Sequence, residues 1–341
     1  VGSEMCIRDR IYIGAGVLFV KAVATGVYML RLVLVKIYAK RKYPALDFYA
    51  EPNEGALKQK NAALLHQVVG IIVNNTDTTV LTICLGAKSL LEVSVYGIYM
   101  MVVNAVNQLM TSFSNGLTAG FGEVIAKNEE ETLKKSYSSY EYMYFVIMFI
   151  VIACMGVLIL PFVGVYTINL TDVQYVRPVL GILFTLIVFM QNVRIPGLTI
   201  ICAAGHYKET RYQAILEAVI NITVSLGLVW KFGMAGVLLG TVCSYGYRSF
   251  EIVFYTSRHL VKGCAKKSMF RILRNVFTVA ILCTVGTYVI PQEITSFTTW
   301  FLYAIGMGLT SVFFVVVINY VVEPDEFMQL RHRVNDIIKK E

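Results

Sequence analysis

The sequence predicts an all-α fold, a polytopic transmembrane helical bundle of about nine spans. Of the 341 residues, 57% are hydrophobic and 15% are charged, and the mean hydropathy is +0.64. A soluble domain carries about 25% charged residues, so this composition excludes the soluble classes. Apolar runs of the ~20 residues that a helix needs to cross a bilayer recur along the whole chain.

None of these runs has the alternating, ten-residue pattern of a transmembrane β-strand. Backbone groups in lipid must be hydrogen-bonded within the segment, so each run is predicted to be a helix. Nine segments qualify as spans, at residues 11–38, 62–85, 93–117, 142–162, 175–203, 211–230, 234–257, 273–290 and 298–322.

Lysine and arginine predict which side of the membrane each connection occupies. Twenty of them lie in one set of loops and in the C-terminal tail, whereas the opposite loops hold three, Lys88, Arg177 and Lys231. Positively charged loops stay in the cytoplasm, so the first set and the tail at 323–341 are predicted to be cytoplasmic. The net charge of +8 therefore reflects topology, and no nucleic-acid partner is expected.

The extramembrane parts are predicted to be short. The longest cytoplasmic loops are 39–61 and 118–141, and the second could form an amphipathic surface helix. Residues 1–10 are charged and unlike the rest, and we interpret them as a non-native leader or linker scar; a short native turn is the alternative. An aromatic belt at the membrane interface is expected from four tyrosines, Tyr43, Tyr137, Tyr140 and Tyr142.

The seven cysteines do not indicate a metal site or a disulfide framework. They are scattered singly, most of them inside apolar runs, with no CxxC pair and no Cys/His cluster. Cysteines in this setting are usually packing residues. No metal and no cofactor is predicted.

Several basic residues lie inside predicted spans, where a charge costs about 2.5–3.5 kcal/mol, and Lys21, Arg194 and Arg248 are the candidates for a functional site. Lys21 is ten residues into the first span, roughly 15 Å deep. Arg194 precedes Pro196, which is expected to kink its helix and free a carbonyl within the membrane. These side chains are predicted to face a cavity. The alternatives are snorkelling for Lys21 and, for Arg248, an i, i+3 ion pair with Glu251.

Polar side chains also form stripes on three of the predicted helices. The stripes consist of Gln67, Gly70, Asn74 and Asp77; of Gly97, Asn104, Gln108, Thr111 and Asn115; and of Gln213, Glu217, Asn221 and Ser225. In a membrane such stripes either line water or hydrogen-bond to other helices, and both remain open for the Asn and Thr members. For Asp77 and Glu217, a cavity or an ion pair is favoured.

Two stretches carry a resemblance to a known family, residues 72–83 (IVNNTDTTVLTI) and 211–244 (RYQAILEAVINITVSLGLVWKFGMAGVLLGTVCS). The chain resembles the polysaccharide biosynthesis, or oligosaccharide flippase, family of the multidrug/oligosaccharidyl-lipid/polysaccharide exporter superfamily. The matching features are Asp77 with its threonines, Glu217 with Asn221, Gly233 and Gly236, and then Gly240, Thr241 and Ser244. Each motif is weak alone, and their order and spacing together are moderately specific.

The resemblance spans about 40–322, including Tyr43–Pro44 and Ala203–Ala204–Gly205. It implies two six-helix lobes around a central cavity, often with two additional C-terminal helices. The helix at 11–38 would be the last of the N-terminal lobe, and 39–61 the loop between the lobes. Residues 62–257 would form the C-terminal lobe, and 273–322 the additional pair. Most of the N-terminal lobe would then be missing, so this fragment alone is not expected to transport.

The implied function is not enzymatic. It is translocation of an undecaprenyl-pyrophosphate-linked oligosaccharide across the bacterial cytoplasmic membrane, by alternating access, for cell-surface polysaccharide. Lys21, Arg194 and Arg248 would face the pyrophosphate, because an unpaired buried anion is prohibitive. Sugar hydroxyls or water would meet Asn74, Asn104, Asn221 and Glu217, and a coupling proton or sodium ion would bind Asp77 or Glu217. The expected partners are the lipid-linked oligosaccharide, membrane lipid and glycan polymerase machinery.

Three other functions remain open at this stage. A cation-coupled multidrug exporter could use the same fold, but an acidic, arginine-free cavity would be expected, and Lys21 and Arg194 argue against it. A membrane glycan polymerase or ligase would need catalytic groups in a sizeable outside loop, and the predicted outside loops are short. A non-transporting scaffold derived from the same fold is the third alternative.

Overall fold

The computed structural model describes residues 17–43, 59–86, 89–291, 294–329 and 331. The predictions made for residues 1–10 and for the far C-terminal tail lie outside the described residues. The chain divides into two compact units, residues 1–58 and 59–341, which are treated separately below. Their boundary falls within the predicted inter-lobe loop at 39–61.

The described elements are eleven helices. In the first unit α1 covers Val17–Lys42, and in the second unit α2 covers Lys60–Cys84 and α3 covers Ser89–Ser114. The remaining helices are α4 Leu117–Ala126, α5 Glu130–Tyr166, α6 Pro178–Val193, α7 Ile195–Ala203, α8 Arg211–Phe232, α9 Met234–His259, α10 Ala265–Val289 and α11 Phe297–Val322.

The predicted all-α, polytopic bundle is confirmed. The described residues form helices and no strand, and seven helical stretches are long and apolar enough to cross a membrane. The helices α2 and α9 are as long, at 25 and 26 residues, but they are not among the seven. These two carry several of the polar residues singled out in the sequence, and their membrane crossing remains a prediction.

In the first unit, α1 has exposed side chains along nearly its whole length, including Lys21. Most of these exposed side chains are apolar, as expected of a helix in contact with lipid or with another membrane helix. The prediction that α1 is the last helix of an N-terminal lobe remains a prediction.

In the second unit, α5 is the central helix. It is 37 residues long, packs against α3, α6, α10 and α11, and carries many of the most buried side chains, such as Phe145, Met148 and Phe149. Because α5 is apolar and is buried against several helices along its length, it connects the other helices of the unit. The two C-terminal helices, α10 and α11, both pack on it.

Short connections join helices of membrane length, so consecutive long helices run antiparallel. We call the side with connections 127–129, 204–210 and 260–264 the basic side, and the other the opposite side. On the opposite side, Arg177 Nη1 and Nη2 donate to the Glu92 carboxylate at 2.8 and 3.0 Å, and Tyr99 Oη donates to the Tyr175 carbonyl at 3.0 Å. These bonds join the start of α6 to α3.

Two sequence predictions are wrong around α5. The helix begins at Glu130 rather than at 142, so the predicted loop 118–141 is mostly helix. Tyr137, Tyr140 and Tyr142 are buried and not in an interfacial belt. The reason is local pairing: Tyr137 Oη donates to Glu141 Oε1 at 3.1 Å, and the Tyr142 ring lies 5.4 Å from the Arg271 guanidinium.

An ionic cluster, which we call the α5–α10–α11 cluster, fixes the basic-side ends of these three helices. Arg271 is almost fully buried and bonds to Glu141 Oε2 at 3.0 Å and Glu323 Oε2 at 2.7 Å. Lys267 Nζ is 2.6 Å from Glu326 Oε1, and Arg274 Nη1 is 2.9 Å from Glu323 Oε1. Three cations thus face three carboxylates, which offsets the cost of burying them.

The α8–α9 hairpin brings two helices into close contact. Gly233 makes the turn with a φ of 57°, a conformation that glycine adopts without strain. On α9, Gly236 and Gly240 lie one turn apart and face α8; a Cβ on Gly240 would collide with Ser225 and would lie 3.0 Å from the Asn221 carbonyl oxygen. This small-xxx-small spacing lets the two backbones approach closely.

We expect Gly240→Ala to lower the free energy of unfolding by about 1–3 kcal/mol, because the added methyl overpacks the hairpin. Gly246→Ala on the same helix is the matched control, since nothing lies within 4 Å of its Cβ position. It should be neutral or stabilising by up to ~1 kcal/mol through helix propensity. Denaturant unfolding in detergent micelles measures both, and equal effects would contradict the close contact.

The ion pairs of the α5–α10–α11 cluster indicate that the fold loses stability at low pH. Burial alone would raise the pKa of Glu323, but the hydrogen bonds and positive charge of Arg271 and Arg274 outweigh it and hold this pKa below 4.5. Burial would likewise raise the pKa of Glu326, but the hydrogen bonds of Lys267 and Ser138 keep it low. Carboxylates with lowered pKa stabilise the fold above their unfolded pKa, and this stability is lost as pH falls through the folded value.

The melting temperature should therefore fall as the pH drops from about 4.5 downward. Glu323→Gln should lower the melting temperature at pH 7 and should flatten the acid part of the profile. Asp325→Asn, at a neighbouring exposed position, is the control and should leave the profile unchanged. Identical profiles for Glu323→Gln and the parent protein would contradict the cluster's role.

Candidate functional site

Two neighbouring cavities lie within the second unit. The first, of ≈ 280 Å³, is bounded by α2, α6, α7, α8, α9 and the connection before α8. The second, of ≈ 370 Å³, is bounded by α2, α3, α6 and α9. They share four lining residues, Val73, Asn74, Gln191 and Tyr245. The first cavity includes Tyr207 and Thr210 from a basic-side connection, so it lies toward the basic side.

A buried cluster lines the first cavity and contains two arginines, Arg194 and Arg248, and the glutamate Glu217. Arg194 Nη1 donates to Glu217 Oε1, and Arg248 Nε lies 3.6 Å from Glu217 Oε2. Arg248 also donates through Nη1 to Glu251 Oε2 at 2.5 Å. The side-chain exposures of Arg194, Glu217 and Arg248 are 14%, 9% and 3%, so the pairs are largely removed from water. We call Arg194, Glu217, Arg248 and Glu251 the Arg–Glu cluster.

Local helix geometry places each member of this cluster. Arg194 lies at the break between α6 and α7, where Pro196 in the first turn of α7 cannot donate to the preceding turn. This is the kink that the sequence predicts. Glu217 is about 9 Å along α8 from its basic-side end, and Arg248 is about 16 Å from the basic-side end of α9, so both lie well inside the helices.

The cluster is neutral overall, because its two guanidiniums balance two carboxylates. Arg194, which the sequence predicts to face a cavity, lines the first cavity and is paired with Glu217. The alternative i, i+3 pair between Arg248 and Glu251 is present. The Arg194 guanidinium also lies 4.5 Å from the centre of the Tyr245 ring, a cation–π contact.

The second cavity contains a carboxylate that has no basic partner among the described residues. Asp77 is 4% exposed; Thr241 Oγ1 donates to its Oδ1 at 2.7 Å, and Tyr96 Oη lies 3.3 Å from its Oδ2. No lysine or arginine is among the residues that line this cavity. Asp77 is therefore held by hydroxyl groups, in a space walled by amide side chains.

Tyr245 stands between the two cavities. Its ring contacts Arg194 on one side, and its hydroxyl donates to Asn74 Oδ1 at 3.2 Å on the other. Asn104 lies on the exposed surface of α3 and lines the second cavity. Asn74, Asn104, Asp77, Arg194, Glu217 and Arg248 are thus brought together around these two spaces.

Asn221 is not among the residues that line either cavity. It is fully buried, and its Nδ2 donates to Thr241 Oγ1 at 3.0 Å and contacts Ser244 Oγ at 3.4 Å, while its Oδ1 has no partner. The open choice between cavity lining and hydrogen bonding between helices is settled here in favour of the second. Asn221 connects α8 to α9 and, through Thr241, supports Asp77.

The α3 stripe faces outward from the unit. Gly97, Asn104, Gln108, Thr111 and Asn115 are all exposed. A polar surface on a membrane-length helix is unfavourable against lipid and calls for water or a further protein surface. Lys21 belongs to the first unit, so its predicted place near the cavities stays a prediction.

Sequence reasoning missed two residues that line the first cavity. His66 is four residues before Gly70 on the α2 stripe, and its Nε2 lies 3.0 Å from the Tyr207 carbonyl oxygen. Tyr245 is four residues after Thr241 and three before Arg248, so it lies on the same face of α9 as these two residues. Helical periodicity could have found both, but neither residue type signals a membrane cavity by itself.

Within the part of the chain that the structure describes, no group of three or more His, Cys, Asp and Glu side chains could hold a metal ion. The comparisons with family models and with curated proteins found no match.

The Arg–Glu cluster predicts strong energetic coupling. We expect Glu217→Ala to lower the free energy of unfolding by about 3–5 kcal/mol, because it leaves Arg194 buried without its partner. Arg194→Ala combined with Glu217→Ala should cost at least ~1 kcal/mol less than the sum of the single changes. A double-mutant cycle by denaturant unfolding measures this.

The exposed pair Lys127 and Glu123, with Nζ and Oε1 2.7 Å apart, is the control for this cycle. Its coupling should stay below ~0.5 kcal/mol because water screens it. Additive costs at Arg194 and Glu217 would mean that the buried pair does not exist in the folded protein.

Proposed function

We propose that this protein is part of a flippase that moves an undecaprenyl-pyrophosphate-linked oligosaccharide across the bacterial cytoplasmic membrane. The observation that carries the proposal is the first cavity: two buried guanidiniums beside a space of ≈ 280 Å³, within a bundle of apolar helices. Guanidinium groups bind phosphate oxygens bidentately, so Arg194 and Arg248 suit a diphosphate.

The walls of the two cavities suit the glycan. Gln67, Asn74 and Gln191 line the first cavity, and Asn104 and Asn107 line the second. Amides both donate and accept, as sugar hydroxyls do, so they can bind a hydroxylated chain without demanding one particular sugar. In this proposal Lys21 adds a third positive charge to the diphosphate path.

Asp77 is the better candidate for a coupling proton or sodium ion. It has hydroxyl donors and no basic partner among the described residues, whereas Glu217 is paired with two arginines. A small cation could therefore neutralise Asp77 without breaking an ion pair. Its access to the amide-lined cavity fits this role.

The predicted membrane topology also supports the proposal. The basic side faces the cytoplasm by the positive-inside rule, so the C-terminus is cytoplasmic and the Arg–Glu cluster lies nearer that side. The Arg177–Glu92 pair then lies toward the outer leaflet. An opening toward the cytoplasm would receive the lipid-linked oligosaccharide where it is made, and glycan polymerase machinery would take it up outside.

A second candidate, a cation-coupled multidrug exporter on the same fold, is favoured by one observation. The second cavity has the carboxylate of Asp77 and no basic lining residue, as a cationic drug would require. The arginines of the adjoining cavity disfavour it. Drug resistance that depends on Asp77 and not on Arg194 would support the exporter over the flippase.

Complementation tests the proposed function. The full-length product should restore surface glycan in a flippase-deficient bacterium. We expect Arg194→Ala and Arg248→Ala each to reduce this at least about tenfold, as removing about 1.4 kcal/mol of binding would do. Arg258→Ala, an exposed arginine on the same helix as Arg248, is the control and should retain activity.

Equal abundance in the membrane, measured by immunoblot, separates lost transport from lost folding. Full complementation by a protein with both Lys21→Ala and Arg194→Ala would contradict the assignment of the diphosphate site.

A further inference from the structure

We infer that the Arg–Glu cluster binds a proton together with an anionic diphosphate group, and that Glu217 is the residue that takes the proton. This inference rests on the proposed function, because it concerns the same site. It adds a linkage between anion binding and proton binding. The anion does not bind to a free cation site but replaces the Glu217 carboxylate beside the two arginines.

The first step in the argument is the position of Glu217. It is the one carboxylate in the described cluster that lies against both arginines, with Oε1 toward Arg194 and Oε2 3.6 Å from Arg248 Nε. It therefore occupies the bidentate position that a phosphate group would take. An anion that binds both guanidiniums must compete with Glu217.

The second step is charge balance. Two guanidiniums and two carboxylates sum to zero, and Glu251 keeps its own bond to Arg248. A diphosphate entering this neutral, largely buried space would give it a net negative charge, and Glu217 is the carboxylate whose contribution to that charge a proton can remove. Burial of an unpaired charge is disfavoured strongly enough that a carboxylate takes up a proton instead.

The third step is the lack of an alternative partner among the residues that surround Glu217. From α2 it is faced by His66, from the α6–α7 break by Arg194, from α7 by Cys202, and from the segment before α8 by Tyr207. From α9 it is faced by Tyr245, Arg248, Glu251 and Tyr247. No lysine lines this cavity, and both arginines would be engaged by the anion.

Among the described residues of the second unit, His66 is the remaining group that could offset the charge. Its Nε2 is already 3.0 Å from the Tyr207 carbonyl oxygen and 3.3 Å from Thr210 Oγ1, so it is committed to the loop before α8. Protonation of Glu217 resolves the conflict locally. The neutral carboxyl group can then donate a hydrogen bond to a phosphate oxygen.

The consequence is that anion affinity rises as pH falls. For one linked proton the association constant changes by up to about tenfold per pH unit, by mass action. A rise in pH then favours release of the diphosphate and return of Glu217 to Arg194.

The test is calorimetry on the detergent-purified, full-length protein, with geranyl diphosphate as the probe. Titrations in two buffers of different ionisation enthalpy give the number of protons taken up per anion bound. We expect about one more proton for the parent protein than for Glu217→Gln, because the amide cannot be protonated in this range. Since the probe's own protonation is common to both, it cancels.

Glu217→Gln should also bind the probe at least tenfold more tightly than the parent protein at pH 8, and the difference should shrink toward pH 6. Glu123→Gln is the matched control. It removes an exposed carboxylate that does not line the cavity, and it should keep the proton uptake. Melting temperatures of the three proteins confirm that each is folded.

The outcomes separate the two proposals. Binding with equal proton uptake in the parent protein and in Glu217→Gln overturns the linkage and leaves the diphosphate site standing. Loss of the extra proton in Glu123→Gln as well would overturn the assignment to Glu217. If neither the parent nor Glu217→Gln binds the probe at any pH, the proposed function fails, and the linkage with it.

Inorganic diphosphate as a second probe distinguishes a headgroup site from a site that needs the lipid. Binding of both probes with the same proton uptake supports the cluster as the site of the charged group. Binding of geranyl diphosphate alone, with uptake that Glu217→Gln does not change, counts against it.

Discussion

The ion pairs of Glu217 with Arg194 and Arg248 are the interaction on which the rest of the site depends. Neither arginine could be kept inside a bundle of membrane-length helices without a carboxylate nearby. The surrounding structure brings the three together: the break at Arg194 turns that side chain inward, and the glycine-packed hairpin holds α8 close to α9. Asn221 and Thr241 fix this hairpin and support Asp77.

The second unit uses buried charge in two different ways. In the α5–α10–α11 cluster, three cations and three carboxylates are matched, and none of them lines either of the two cavities. That cluster joins three helix ends. The Arg–Glu cluster is also balanced, but it borders an open space with amide walls, so its partners can be exchanged for a ligand. A neighbouring cavity, and not charge alone, therefore distinguishes the Arg–Glu cluster from the α5–α10–α11 cluster.

Much of the fold follows from the sequence, because length and hydropathy decide it. The apolar runs and the charged loops located the long helices, and Pro196 located the break between α6 and α7. The sequence was misleading where tertiary pairing overrides a local pattern. Tyr137, Tyr140 and Tyr142 carry the composition of an interfacial belt, yet they are buried because Glu141, Thr199 and Arg271 offer them partners from within α5 and other helices.

The site was predictable in its members but not in its pairings. Helical spacing identified Asp77, Glu217 and Arg248 as inward-facing, and it suggested the bond between Arg248 and Glu251. It could not show that Arg194, 23 residues from Glu217 and on another helix, would meet that carboxylate. Nor could it tell that Asn221 bonds across the hairpin while Asn74 and Asn104 face open space, because all three share the same stripe pattern. Such distinctions depend on packing between helices.

An anion can reach the buried arginines only if water reaches the first cavity, and native cysteines allow this to be tested. Cys202 lines this cavity, whereas Cys243 is exposed on α9 away from both cavities, where lipid is expected. Single-cysteine proteins in membranes can be treated with a charged, membrane-impermeant thiol reagent and with a permeant one. We expect the impermeant reagent to modify Cys202 and to leave Cys243 unmodified. A Cys202 that reacts with the permeant reagent alone would contradict it, because the buried arginines would then have no aqueous path to an anion.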